Sequence, residues 1–178
     1  MTKKYVYFFG KDNAEGDKDM KDLLGGKGAN LAEMAGIGLP VPAGFTVSTE
    51  VCSSFAKLGK KIPFEVEEEI LLNLKKLEDI TQQKFGGKDN PLLVSVRSGA
   101  KFSMPGMMDT VLNLGLNDKM LEPMTKKSGD RRFALDCYRR LIHMFGDVVL
   151  GIPKRRFEEI LREKKKEKKV VKDFELSE

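Results

Sequence analysis

The pattern of apolar and polar positions divides the chain into short strands and amphipathic helices. Tyr5–Phe9 alternates aromatic and branched residues and predicts a first strand. The polar, glycine-containing run 10–18 predicts a loop. Leu31, Met34 and Ala35 sit at helical spacing, predicting a short helix from about Gly26 to Ala35; Gly36, Gly38, Pro40 and Pro42 end it. Phe45–Val47 predicts a short strand. Ser48 or Thr49 is placed to cap the next helix, and Glu50 suits its positive end. Pro63 opens a longer helix to about Thr81, whose stripe Val66, Ile70, Leu71, Leu74 and Leu77 reads as core packing. The acids Glu65, Glu67, Glu68 and Glu69 read as a solvated, dipole-matched face rather than a metal cluster.

In the second half, Gly86-Gly87 and Asn90-Pro91 form a turn into a buried strand, Leu92–Val96. The stretch closes at Gly115 in a second strand-like run. A short helix starts at Asn117 or Asp118, with Pro123 shortening or bending it, and Ser128-Gly129-Asp130 supplies a turn and a cap. Phe133–Leu150 is strongly helical, with Ala134, Tyr138, Leu141, Ile142, Phe145, Val148 and Val149 at the helical period. Pro153 stops it, and Lys154–Lys169 predicts a last helix with Phe157, Ile160 and Leu161 inward. The expected fold class is α+β, with an α+β lobe over 1–116 and a helical subdomain over 117–178 that ends in a charged segment. No internal repeat is visible.

Composition narrows the function classes. The chain has 178 residues and a formal charge of +5. Lys154–Lys169 alone carries nine Lys/Arg against four Glu, which equals the whole excess, so no general nucleic-acid-binding surface is expected. Binding of this one helix to an acidic partner is the competing reading, weakened by the interleaved Glu158, Glu159, Glu163 and Glu167 and by the lack of an aromatic stacking platform. No apolar run approaches the roughly 20 residues of a membrane span. With no leader-like N-terminus either, the expectation is a cytoplasmic protein. Cys52 and Cys137 lack metal or redox spacing and read as ordinary buried or half-buried thiols. His143, the only histidine, reads as a partly buried packing residue without a catalytic partner.

Two places suit an anion. Lys27 follows Gly25-Gly26 at a predicted helix start, where free N–H groups and an ammonium act on the same ligand. Arg97 ends a predicted strand, and its guanidinium matches phosphate oxygens. Ser98, Gly99 and Ala100 then lack bulk and leave the backbone approachable, before the turn around Met104-Pro105-Gly106. Neither a Walker P-loop nor a GxGxxG is present. On these grounds alone, a solvated surface loop fits the Arg97 stretch as well, and a glycine-rich helix entry with a solvated lysine is the better reading of Lys27.

The strings themselves decide more. GGKGANLAEM and VRSGAKFSMPGMMDTVLNLG closely resemble the N-terminal nucleotide-binding domain of pyruvate phosphate dikinase, and the likeness runs over essentially the whole chain. The related phosphoenolpyruvate synthase family shares GGKGA and the arginine-bearing strand, but carries a more acidic loop ending in FAGQ. The SMPGMMDT string favours the dikinase. The resemblance implies the N-terminal lobe of an ATP-grasp-type domain, and a reaction taking ATP, pyruvate and phosphate to AMP, phosphoenolpyruvate and pyrophosphate through a phosphohistidine. It implies ATP contacts by Lys27 and Arg97, the pair expected to carry catalysis. Ser98, Gly99, Ser103, Met104, Pro105, Gly106 and Met107 would belong to a loop over the phosphates. Lys101 and Phe102 stand where that family often has Arg-Ala, so no role is carried onto them. His143, in LIHMFGD, is not the family's TSHA-type phosphocarrier. The resemblance therefore implies an N-terminal fragment, catalytically incomplete by itself. Its magnesium ligands, phosphohistidine domain and pyruvate-binding domain would lie elsewhere, in a full enzyme expected to be a homodimer. No metal ligand is assigned here, and neither nucleic acid nor membrane is expected as a partner.

Overall fold

The computed structural model describes residues 3–10, 13–99 and 109–177. It is a mixture of helices and small sheets, as the pattern predicts, and its contacts form two compact units. One holds the described residues up to Gln82 together with Ser98 and Gly99; the other holds Gln83–Arg97 and the chain from Asp109 onward. The sequence reading drew its boundary at 116/117 instead. Leu93, Val111 and Leu114, before that boundary, pack with Met120, Met124 and Leu141 after it.

In the first unit, β1 (Val6–Gly10) is the middle strand of an antiparallel sheet between β2 (Asn13–Ala14) and β3 (Gly44–Val47). Tyr7 pairs with Thr46, and Phe8 with Phe45. The predicted loop 10–18 thus contains a short strand. Three helices surround the sheet: α1 (Lys21–Gly36), α2 (Thr49–Lys57) and α3 (Phe64–Thr81). Small residues let α1 sit close, with Ala32 and Ala35 packed on Phe9. Phe8 and Val66 are fully buried, and the Lys76 ammonium lies 4.1 Å from the Phe8 ring centroid.

Because β2 is only two residues long, most of β1 has no strand on that side. Carboxylates take the strand's place. Glu69 Oε2 accepts from the N–H groups of Tyr5 (2.9 Å) and Val6 (2.8 Å), and Glu15 Oε2 accepts from Phe8 N–H at 2.6 Å. Glu69 is therefore a half-buried anchor and not part of a solvated face. On α3 only Val66 and Leu77 are buried, whereas Leu71, expected inward, is 57% exposed. The sheet covers one narrow side of that helix, and Leu71 lies a further 100° around it from Ile70. Ser48 occupies the position before α2 without capping it through its hydroxyl, while Thr49 Oγ1 donates to the Asp22 carbonyl at 2.7 Å.

In the second unit, β4 (Lys84–Phe85) pairs parallel with β5 (Pro91–Leu92), and β6 (Val94–Arg97) antiparallel with β7 (Thr110–Leu114). Register moves from Val94↔Leu114 to Val96↔Val111, so β7 holds one extra residue. Asn113 adopts φ 59° there, and its side-chain amide donates to the Cys137 carbonyl at 3.1 Å. The strand expected to be buried is buried only at its start; Val96 is 49% exposed, because pairing with β7 occupies its edge and not its faces.

A 3-10 turn at Asp118–Met120 leads into α4 (Leu121–Ser128) and α5 (Arg131–Val148), which packs on β7 through Val111, Leu116, Met120 and Leu141. Asp130 caps α5, its carboxylate accepting from Phe133 N–H at 2.9 Å. Pro123 falls in the first turn of α4, where its missing N–H costs nothing. In α6 (Lys154–Lys168), Phe157 packs against Gly146 of α5, whereas Ile160, expected inward, is exposed. Ile142, Phe145 and Val148 on α5, and Val149 just past its end, are likewise exposed, since β7 and α4 cover the other side of the helix. Cys52 is exposed, contrary to expectation; Cys137 is half-buried, and burial pushes its thiol pKa up.

Candidate functional site: the lysine at the break in the first helix

The glycines around Lys27 have different tasks. Gly25 adopts φ 68°, ψ 165°, a conformation essentially reserved for glycine, and it breaks α1 in two. Helix starts afresh at Gly26, so Gly26–Ala29 form a first turn, the part of a helix whose N–H groups have no intrahelical acceptor. This matches the predicted start at Gly26, although helical structure resumes from an earlier piece beginning at Lys21. Gly28 has another job: a Cβ there would stand 2.7 Å from Thr46 Cγ2 and 2.9 Å from Thr46 Oγ1. It lets α1 lie against β3. A Cβ on Gly26 would meet nothing within 4 Å, so the backbone there is open to a ligand.

Lys27 is half-buried, and its Nζ donates to the Ser98 carbonyl at 3.4 Å. Two predicted site residues 71 positions apart are thus brought together within the first unit. Ser98 and Gly99 are exposed, and a Cβ on Gly99 would also meet open space. Arg97 precedes Ser98 in the chain but belongs to the second unit, where it ends β6 opposite Thr110, with an exposed side chain. Ser103, Met104, Pro105, Gly106 and Met107, assigned to the loop from sequence, lie outside the described residues.

Within the first unit, an ammonium and open backbone at Gly26 and Gly99 are the chemistry of an anion site. It does not suit a divalent cation. Among the described residues there is no group of three or more His, Cys, Asp or Glu side chains placed to hold a metal. The carboxylates near β1 are engaged in structure. Burial pushes the Glu15 carboxyl up, but the Phe8 N–H together with Lys4 and Lys76 outweighs it and holds the pKa below the usual value. His143 stacks on Phe157 with centroids 4.9 Å apart, a packing role as expected. A cavity of about 680 Å³ between α5 and α6, lined by Leu135, Ile142, Phe157 and Leu161 among others, is chiefly apolar.

The basic helix has its charges partly answered along its own face. Lys154 pairs with Glu158 (3.3 Å), Arg155 with Glu159 (3.7 Å) and Lys164 with Glu167 (2.8 Å). That arrangement is of a solvated, self-paired surface. Among the described residues no helix is long and apolar enough to cross a membrane.

Sequence reasoning missed the packing role of Gly28 and the anchoring roles of Glu15 and Glu69. For Glu69 a signal existed. It lies three residues after Val66, on the same face of α3, and so points toward the core side. For Gly28 none existed, because its neighbour Thr46 comes from a distant strand.

A protein family described as the pyruvate phosphate dikinase AMP/ATP-binding domain matches residues 21–62, the segment that holds the Gly25 break and Lys27. Similar proteins include the chloroplastic pyruvate, phosphate dikinase of Flaveria pringlei, 56% identical over 99% of this chain and 18% of that protein. The pyruvate, phosphate dikinase of Clostridium symbiosum is 52% identical over 98% of this chain and 20% of its own length. That of Rhizobium meliloti is 51% identical over 98% and 19%. The chain thus spans about a fifth of the length of the curated relatives it matches. Over nearly all of its length it is similar to part of the pyruvate phosphate dikinases, and at 21–62 to their AMP/ATP-binding domain.

Proposed function

We propose that this chain forms part of the ATP-binding portion of a pyruvate phosphate dikinase, built on an ATP-grasp-type arrangement. Lys27 and Arg97 contact the ATP phosphates, and the backbone at Ser98 and Gly99, with Ser103–Met107, lies over them. Phosphoryl transfer needs charge neutralisation and alignment more than covalent help, which is what an ammonium, a guanidinium and open N–H groups supply. The reaction of the whole enzyme would take ATP, pyruvate and phosphate to AMP, phosphoenolpyruvate and pyrophosphate, through a phosphohistidine outside this chain. Mg²⁺ ligands would also come from outside it. Further domains, a homodimeric full enzyme and a cytoplasmic setting belong to the same proposal; the name of the Flaveria pringlei relative places that protein in chloroplasts.

The observation that carries this reading is the bond from Lys27, inside the segment that matches the dikinase AMP/ATP-binding family, to the backbone next to Arg97. Calorimetric titration of the 178-residue chain with ATP tests it. Millimolar affinity, roughly −4 kcal/mol, is expected. Loss of that heat in both Lys27→Ala and Arg97→Ala would support the assignment, and unchanged heat in both would refute it. The competing view of α6 as a surface for an acidic partner finds no support in its paired charges.

A further inference from the structure

The cavity between α5 and α6 has a volume of about 680 Å³, inside the roughly 300–1,000 Å³ range usual for small-molecule sites. Its lining residues all belong to the second unit. On α5 the wall runs from Arg132 to His143, which at the helical rise is roughly 16 Å along the axis. The two ends of that stretch differ. At one, the His143 ring stacks on Phe157. The lining side chains of Ile142 and Ile160 are 49% and 60% exposed, apolar surface that gains from being covered. At the other stands Arg132. Each acid in the wall already has a cation. Asp136 pairs with Arg139 and Arg140 (both 2.8 Å), Asp173 with Lys165 (2.8 Å) and Glu167 with Lys164 (2.8 Å). Arg132 is half-buried, yet among the described residues it has neither a hydrogen bond nor an ion pair. The unanswered charge of the cavity is therefore positive and sits at one end of an apolar slot.

We propose that this cavity binds a small amphipathic carboxylate of the fatty-acid class. Arg132 takes the head, its fork of donors matching the two carboxylate oxygens. The tail lies along α5 toward Phe157 and covers Ile142 and Ile160. A cationic head does not fit, because the acids that could receive it are paired and the free guanidinium repels it. A compact anion such as phosphate would answer Arg132 but leave the apolar wall in water.

Two probes with one tail and opposite heads make the test. The 178-residue chain is titrated calorimetrically with dodecanoate and with dodecyltrimethylammonium, and the isoleucine methyl signals are followed on the same samples. Wild type should prefer dodecanoate by about tenfold or more. The methyl signals of Ile142 and Ile160 should move along the dodecanoate saturation curve. Arg132→Gln should remove most of the preference while leaving the free-state Leu141 amide in place, which shows that the fold is kept. Ile142→Glu, a change at an exposed position, should weaken dodecanoate binding with Arg132 intact, and it decides the matter if the Leu141 amide of Arg132→Gln is displaced. Equal affinity of wild type for the two amphiphiles would reduce the cavity to a merely apolar surface and overturn the proposal. A preference that survives in Arg132→Gln overturns it as well, and so does dodecanoate binding unchanged in Ile142→Glu. Heat without movement of either isoleucine places the ligand elsewhere, and absence of dodecanoate heat removes the site; both results overturn it.

Discussion

Adding one methyl group at Gly28 should separate the packing role of the glycine-rich segment from its ligand role. The new Cβ would lie 2.7 and 2.9 Å from the Thr46 side chain and 3.2 Å from Leu24 Cβ. Thr46 is β-branched and stiff, and it sits in β3 opposite Tyr7, so it cannot swing aside. Overpacking of this kind costs about 1–3 kcal/mol. Replacing glycine by alanine in a helix returns up to about 1 kcal/mol. Gly28→Ala should therefore lose roughly 0–2 kcal/mol net. Gly26→Ala gains the helical term and meets nothing within 4 Å. The difference between the two variants isolates the overpacking term, ~1–3 kcal/mol in favour of Gly26→Ala. A urea titration followed on the amide signals of Val6 and Phe8 reads the stability of the unit concerned. Thr46→Ala removes both close atoms and should erase most of the penalty in the double variant. Equal or greater stability of Gly28→Ala relative to Gly26→Ala, or an additive Thr46 effect, would refute the reasoning.

Glu69→Ala should cost about 1–3 kcal/mol in the same titration, because the fully buried Val6 loses its N–H acceptor; Glu69→Gln, which keeps a carbonyl, should recover part of it. The Glu15 carboxyl has a depressed pKa in the folded protein, so its stabilisation is present above the ordinary value of 4.5 and is lost as pH falls through the lower folded value. Glu15→Gln should accordingly flatten the acid limb of the stability profile, and an unchanged limb would contradict it. Iodoacetamide should label exposed Cys52 before half-buried Cys137, whose thiol burial holds protonated; mass spectrometry of early time points gives the order. Asp130→Ala removes the cap on Phe133 N–H and should destabilise the second unit by about 1 kcal/mol, seen in the urea midpoint of the Leu141 amide.

Local chemistry was enough for much of this chain. Gly36 and Pro40 end α1, Pro63 opens α3, Gly129 and Asp130 separate α4 from α5, and Pro153 precedes α6. Each works through its own backbone or through a hydrogen bond to a residue two or three positions away. The two phosphate-binding candidates were also legible, from their residue types and from the strings around them. What local chemistry could not determine was which side of each helix would be covered. Leu71, Ile142 and Ile160 sit on helical stripes as apolar as those of Val66 and Leu141, yet only the latter two are buried. Burial depends on neighbours supplied by distant chain, and a period of 3.6 says nothing about them. The same holds for Gly28 against Thr46, Glu69 against the N–H groups of β1, and Lys27 against the Ser98 carbonyl. These partners lie 18 to 71 residues apart, and only the folded backbone brings them within reach.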